Sequence, residues 1–308
     1  MAVYPVAAGQ ADYGSNGESR FIPQIWSGKL IEKLYARTCF AEIANTLYEG
    51  EIKNQGDTVI IRTTPTITIR DHAMGATLNY EQPESAPTEL RIDKGKYFAF
   101  ECDDVAAYQA DIKLMDNWSE DGGQQMKISI DTSVLSTIYA DAGAANSGAA
   151  AGVKSGGYNL GTGAAPVELT KDNVLDYIAD IGSVLDEQNV PEDGRWLVIP
   201  AWVKNLLKKS DLRDAGITGD GTSVIRNGKI GVLDNFDTFV SNNMAVTAGN
   251  TNIVFGHKKA LTFASQMTKL ETLPNPSKFG KLIRGLNVYG YKVIDENAMG
   301  HLVARKAA

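Results

Sequence analysis

Histidine and cysteine are the scarcest chemistry in this chain of 308 residues. The three histidines, His72, His257 and His301, lie far apart. None falls at H-E-x-x-H spacing or beside a G-x-S-x-G serine, which removes the local signatures of a zinc hydrolase and a serine hydrolase. The two cysteines, Cys39 and Cys102, have no C-x-x-C spacing. They read as buried free thiols in a reducing compartment, not as a disulfide framework or a zinc site. No apolar run approaches the roughly 20 residues of a spanning helix. The opening MAVYPVAAGQ lacks a basic segment followed by an apolar core, so no export signal is expected. Basic residues are in deficit, 30 Lys and Arg against 37 Asp and Glu, a net charge of −7. That argues against a broadly basic, nucleic-acid-gripping surface. Lysine is missing altogether from Asn54 to Asp93.

The glycine-rich stretches supply no phosphate loop. GITGDGTS at 216–223 lacks both the Walker lysine and the G-x-G-x-x-G order, and GTGAAP at 161–166 fails equally. They read as turns. The acidic clusters Glu101–Asp104, Asp186-Glu187 and Glu192-Asp193 show no EF-hand spacing and read as helix caps or solvated loops. Lys204, Lys208 and Lys209 read as one solvated helix face. No catalytic constellation, metal site or cofactor site is expected.

What is present is an ordinary globular balance, 43% apolar and 22% charged, with length for two or three compact subdomains. Residues 1–20 read as an N-terminal arm rich in small residues. Ile22, Ile25, Trp26, Leu30 and Leu34 recur at helical spacing, which predicts a helix from Phe21 to about Ile43. A long helical region begins at Asp103, with a break expected at Asp121-Gly122-Gly123. Met126, Ile130, Val134 and Ile138 then recur every four residues on one stripe ending near Ala140. Residues 140–165 are mostly Gly and Ala and read as a flexible loop. Beyond them a helix is expected over Asp172–Gln188, a buried strand at WLVIP and a helix over 201–209. Two strands around a turn follow in KIGVLDNFDTFVSN, then glycine-punctuated short strands to the end. Helix and strand mix without regular alternation, so the class is α+β.

One segment is hard to place in a self-contained domain. GDTVIIRTTPTITIRDH at 56–72 alternates Ile67 and Ile69 with Thr66, Thr68 and Arg70, which predicts a strand. The return strand ELRIDKGKYFAF starts only at Glu89, across the polar span GATLNYEQPESAPT. An arm of this kind has little core of its own, and its edges invite another chain.

Motifs in a fixed order sharpen this reading. R-N-G-K-I-G at Arg226–Gly231, G-H-K-K-A-L at Gly256–Leu261 and R-G-L-N-V-Y-G-Y-K-V at Arg284–Val293 occur in turn. F-I-P-Q-I-W-S at Phe21–Ser27 and E-G-E-I-K-N-Q-G-D-T-V at Glu49–Val59 precede them. The chain beyond residue 20 resembles the major capsid proteins of tailed bacteriophages. The resemblance implies the Hong-Kong-97-type fold. Its parts would be an N-terminal arm (1–20), a first helix of the peripheral domain (21–48), and an extended β-hairpin loop with flanking strands (49–102). A spine helix of the peripheral domain (103–141), a flexible loop (142–169) and an axial domain (170–262) would follow. C-terminal strands (263–308) would return to the peripheral domain.

The function implied is a coat protein that self-assembles into hexamers and pentamers of an icosahedral head around double-stranded DNA. It would assemble in the host bacterial cytoplasm and end in the virion. Intersubunit contacts would come from Ile67, Ile69, Arg70, Asp71 and His72 of the extended loop, and from Phe21 and Trp26 of the arm and first helix. A scaffolding protein and a portal would be partners during assembly, with room for a decoration protein and no membrane. Only about 20 residues precede the first helix, too few for a fused scaffolding domain, so a separate scaffolding protein is expected. The lysine-free arm is expected to form no covalent cross-link. The alternatives are an encapsulin-type nanocompartment shell on the same fold, or a cytosolic enzyme whose lid is the 140–165 loop.

Overall fold

A computed structural model gives the fold and describes residues 35–47, 58–62, 65, 67–75, 77–84, 87–104, 114–210 and 232–307. Phe21, Trp26, the proposed N-terminal arm and the Arg226–Gly231 motif lie outside them. In chain order a short helix α1 (Phe40–Ile43) precedes strands β1 (Thr58–Arg62), β2 (Pro87–Arg91) and β3 (Lys94–Asp103). A long helix α2 (Leu114–Leu135) leads through two 3-10 turns to β4 (Val167–Leu169), α3 (Val174–Glu187), β5 (Arg195–Ile199) and α4 (Ala201–Lys209). Then come β6 (Val232–Leu233), β7 (Phe236–Val240), β8 (Val246–Thr247), β9 (Asn250–His257), β10 (Leu261–Pro274), β11 (Gly280–Val293) and β12 (Met299–Lys306).

Seven strands form one sheet in the order β4-β12-β9-β5-β7-β6, with β8 paired on β9. β5 reads RWLVI and every residue is buried, as expected of a strand covered on both faces. Leu197, Ile199, Ile253 and Leu302 of the sheet meet Val174, Ile178 and Ile181 of α3 and Val203 of α4 around one small apolar gap. The spacing 174, 178, 181, 185 puts the buried side chains of α3 on one stripe. The turn between β6 and β7 places Asp234 and Asn235 at φ 47° and 60°. Those are the residue types that tolerate such a hairpin turn.

A second sheet, β10-β11-β3, is antiparallel and carries α2. Phe98 and Phe100 of β3 face the helix, and Phe100 meets the Trp118 ring edge-on at 5.8 Å. The break expected at Gly122-Gly123 does not occur, since α2 runs unbroken from Leu114 to Leu135. The Phe98 ring lies against the bare Cα of Gly122, where a Cβ would sit 3.0 Å from it. Packing on the sheet outweighs the roughly 1 kcal/mol that each helical glycine costs. The helix ends earlier than the apolar stripe predicts. The Ser133 carbonyl accepts from the Thr137 and Tyr291 hydroxyls at 2.9 and 3.0 Å, and a 3-10 turn follows at Ile138–Asp141.

The first helix also differs from expectation. Of the expected span the structure describes residues from 35 onward; 35–39 are not helical and Phe40–Ile43 are. Asp131, fully buried on α2, takes the N–H groups of Cys39 and Phe40 on Oδ1, both at 2.9 Å. Its Oδ2 accepts from Asn243 Nδ2 at 2.7 Å. One carboxylate thus caps α1 and ties it to the spine helix and to the loop after β7. Burial, reinforced by Asp131, pushes the Cys39 thiol well above its usual pKa.

The Gly/Ala-rich stretch is packed rather than flexible. Asn146, fully buried, donates to the Asn297 and Met299 carbonyls at 2.6 and 3.1 Å and accepts from Gln188 Nε2 at 3.0 Å. Ala151 pairs with Tyr158, and the Leu160 carbonyl accepts from Val303 N–H at 2.9 Å. Small residues suit a segment laid flat against strands. The C-terminal block also divides, contrary to a common return to one domain. β10 and β11 join β3, whereas β12 pairs with β9 and β4 inside the seven-stranded sheet.

Candidate assembly surfaces

The arm is a hairpin only at its base. β1 and β2 pair over five positions, from Thr58 with Arg91 to Arg62 with Pro87. The described residues from 65 to 84 lie in no strand, so the period-two pattern at 66–70 does not make one. Among the described residues no strand is paired beside it to satisfy that pattern. The base is well seated. Ile61, Leu90, Ile92 and Ala264 form a small separate core, with Val59, Val288 and Ile294 against it. Gly290 of β11 permits the close approach, because a Cβ there would lie 2.1 Å from the Arg91 carbonyl oxygen.

Beyond the base the described large apolar side chains of the arm are exposed. Ile67 is 60% exposed, Ile69 90% and Tyr80 88%, and Met74 and Leu78 are also open to solvent. Asp71 and His72 are exposed as well. Arg70 pairs within the arm, with Glu81 at 3.5 Å, and Glu81 also accepts from Thr68 N–H at 2.7 Å. Gly75 at φ 84° makes the turn between the limbs. Leu78, Tyr80 and Glu81 lie in the span that reads as a polar connection. Its isolated apolar residues carry no periodicity that would have marked them.

A second surface is the β10–β11 hairpin. Phe279 at its tip is 87% exposed, and Leu270 and Tyr97 are exposed along the sheet. Between them Lys269 and Arg284 bond the Glu271 carboxylate and hold its pKa below the usual value. The open groove at the arm's base is lined by three ion pairs, Arg91 with Glu89 at 2.6 Å, Lys94 with Asp93 at 3.1 Å and Lys292 with Asp141 at 3.4 Å, and by Glu296. Among the described residues no three His, Cys, Asp or Glu converge to hold a metal. No helix among them is long and apolar enough to cross a membrane. The 140–165 stretch, being packed, is not a lid.

The two motifs that lie wholly among the described residues, Gly256–Leu261 and Arg284–Val293, have structural roles. His257, in G-H-K-K-A-L, makes a 2.7 Å hydrogen bond to the Asp193 carbonyl through Nε2 and accepts from Lys259 N–H through Nδ1. That stitches the end of β9 to the loop before β5. Gly256 lets Ala298 approach, since a Cβ would lie 2.9 Å from its carbonyl oxygen. In the late motif Arg284 holds Glu271, and Gly285 lies under the Phe98 ring.

A family model described as phage capsid protein matches residues 87–300. The chain belongs to the phage capsid protein family. This capsid protein is a structural component of a tailed-phage head and not an enzyme. A structure from Mycobacterium phage Che8 shares 29% identity with it, covering 92% of this chain and 97% of that one, at a TM-score of 0.76. The capsid structure of cyanophage P-SCSP1u covers both chains fully at 14% identity and a TM-score of 0.71. The mature capsid of bacteriophage PhiM1 gives the same coverage, identity and score. No curated protein matches the sequence. The capsid protein has the α+β Hong-Kong-97-type fold.

Proposed function

We propose that this capsid protein assembles into the hexamers and pentamers of an icosahedral head that encloses double-stranded DNA, with each arm lying across a neighbouring copy. The observation that carries the reading is an arm seated firmly at its base whose outer residues have no core of their own. Ile67 and Ile69 supply apolar area for the neighbour to cover, at about 25 cal/mol per Å² buried. Asp71 and His72 sit at the rim of that contact. Each contact is small and heterologous, and closure of rings and a shell multiplies it. The net charge of −7 suits a container that does not grip its DNA. A separate scaffolding protein and a portal take part during assembly in the host cytoplasm, and a decoration protein can add later. The lysine-free span from Asn54 to Asp93 leaves the arm without an amine for cross-linking. Electron microscopy of the native particle tests the reading. A closed lattice of hexamers and pentamers filled with DNA is expected, and a cargo-filled compartment without a genome would overturn it.

A further inference from the structure

The arm has two limbs and little to hold them together. Ladder pairing among the described residues runs no further than Arg62 and Pro87. Among the described residues two interactions cross between the limbs, and Glu81 makes both. It accepts from the backbone N–H of Thr68 and pairs with the Arg70 guanidinium. Ile67 and Ile69 flank the residues that Glu81 holds, Thr68 and Arg70, and both are exposed.

We propose that Glu81 is a positioning residue for assembly: it clasps the limbs so that Ile67 and Ile69 are presented, already ordered, to a second copy of this chain. The inference rests on the shell reading above. An exposed ion pair alone adds little. Here the same carboxylate also binds a backbone N–H, in a segment whose ordering would otherwise fall due on docking. The clasp thus acts on assembly rather than on folding.

The lysine-free arm gives a direct readout, because trypsin can cut between Asn54 and Asp93 only after Arg62, Arg70 and Arg91. In the unassembled full chain, Glu81→Ala should speed cleavage after Arg70 by about fivefold, with Tm unchanged. Produced with the other head proteins of its phage, the variant should give about tenfold fewer closed shells by sedimentation and electron microscopy. Glu81→Gln keeps an acceptor for Thr68 and should fall between the two. Wild-type shell yield from Glu81→Ala overturns the proposal, whatever happens to cleavage. Ile69→Asp separates the two levels. Normal shells from that variant would mean that the arm contact itself is misassigned. Lost shells there with normal shells from Glu81→Ala would reject the clasp alone.

Discussion

The arm and the seven-stranded sheet are made from the same apolar residue types and dispose of them in opposite ways. In β5 all five residues are buried between helices and neighbouring strands. In the arm beyond Arg62, Ile67 and Ile69 stand in solvent. The difference lies in what the chain itself brings to each place, not in the residues. β5 pairs with β9 on one side and β7 on the other and meets α3 and α4, while the core described for the arm is left behind at Ile61, Leu90 and Ile92. One region is complete within the chain, and the other, on the proposed reading, is completed by a neighbouring copy.

Changes inside the complete region should cost folding free energy. Asp131→Ala is expected to have the largest effect. It strips a buried acceptor from two backbone N–H groups and from Asn243. Leaving these donors unpaired should cost roughly 3 kcal/mol or more, read as a lower urea midpoint at unchanged slope. A midpoint shift under a quarter of that size would mean that the junction between α1, α2 and the β7 loop is not held by this carboxylate. Gly290→Ala comes next, at the seam between the two regions. Its Cβ would meet the Arg91 carbonyl oxygen at 2.1 Å, so β2 must move off β11. A cost of about 1–3 kcal/mol is expected, as for an overpacked core, with faster proteolysis of the arm. Loss of stability without a loosened arm would separate the arm's seat from this contact.

A smaller, pH-dependent effect belongs to His301. Burial lowers its pKa below the ordinary 6.5, its ring meets Tyr139 edge-on at 5.6 Å, and its Nδ1 is buried without a partner among the described residues. The folded chain thus favours neutral imidazole, while the unfolded chain takes up a proton near pH 6.5. The sign follows: stability falls as pH drops from 6.5 towards the folded-state value, then this contribution levels off. His301→Phe should shrink the fall in Tm between pH 7 and 5.5, and an identical fall in both proteins would refute the assignment.

Much of the complete region was legible in the sequence because one pattern sufficed for each element. The helix over 201–209 and the WLVIP strand needed only local periodicity. The long strands did not read as long, because Gly280, Gly285 and Gly290 look like punctuation. Each is instead a place where another part of the chain crosses close above the backbone: Cys102, the Phe98 ring and Arg91. Gly122 misled in the same way. The apolar tip at Ile67 and Ile69 could be found from its missing core. Glu81 could not, because a carboxylate in a polar span looks the same whether it clasps a limb or merely faces water. The C-terminal strand's return to the seven-stranded sheet is a matter of long-range pairing, which no local pattern encodes.

The change with the smallest effect on the monomer is the one that breaks the comparison most cleanly. Ile69→Asp removes an exposed side chain, so folding stability should stay within about 0.5 kcal/mol of the parent. If the arm is the part that a neighbour completes, the same change buries an unpaired carboxylate in the contact. Assembly should then fail even though the chain folds. Equal Tm with no shells, by scanning calorimetry and by sedimentation, is the expected pair of results. A drop of several degrees in Tm would place Ile69 in the chain's own core and erase the distinction between the two regions. Normal shells would move the contact elsewhere, for instance to Phe279 and Leu270 on the β10–β11 hairpin, two more of the large apolar groups exposed among the described residues.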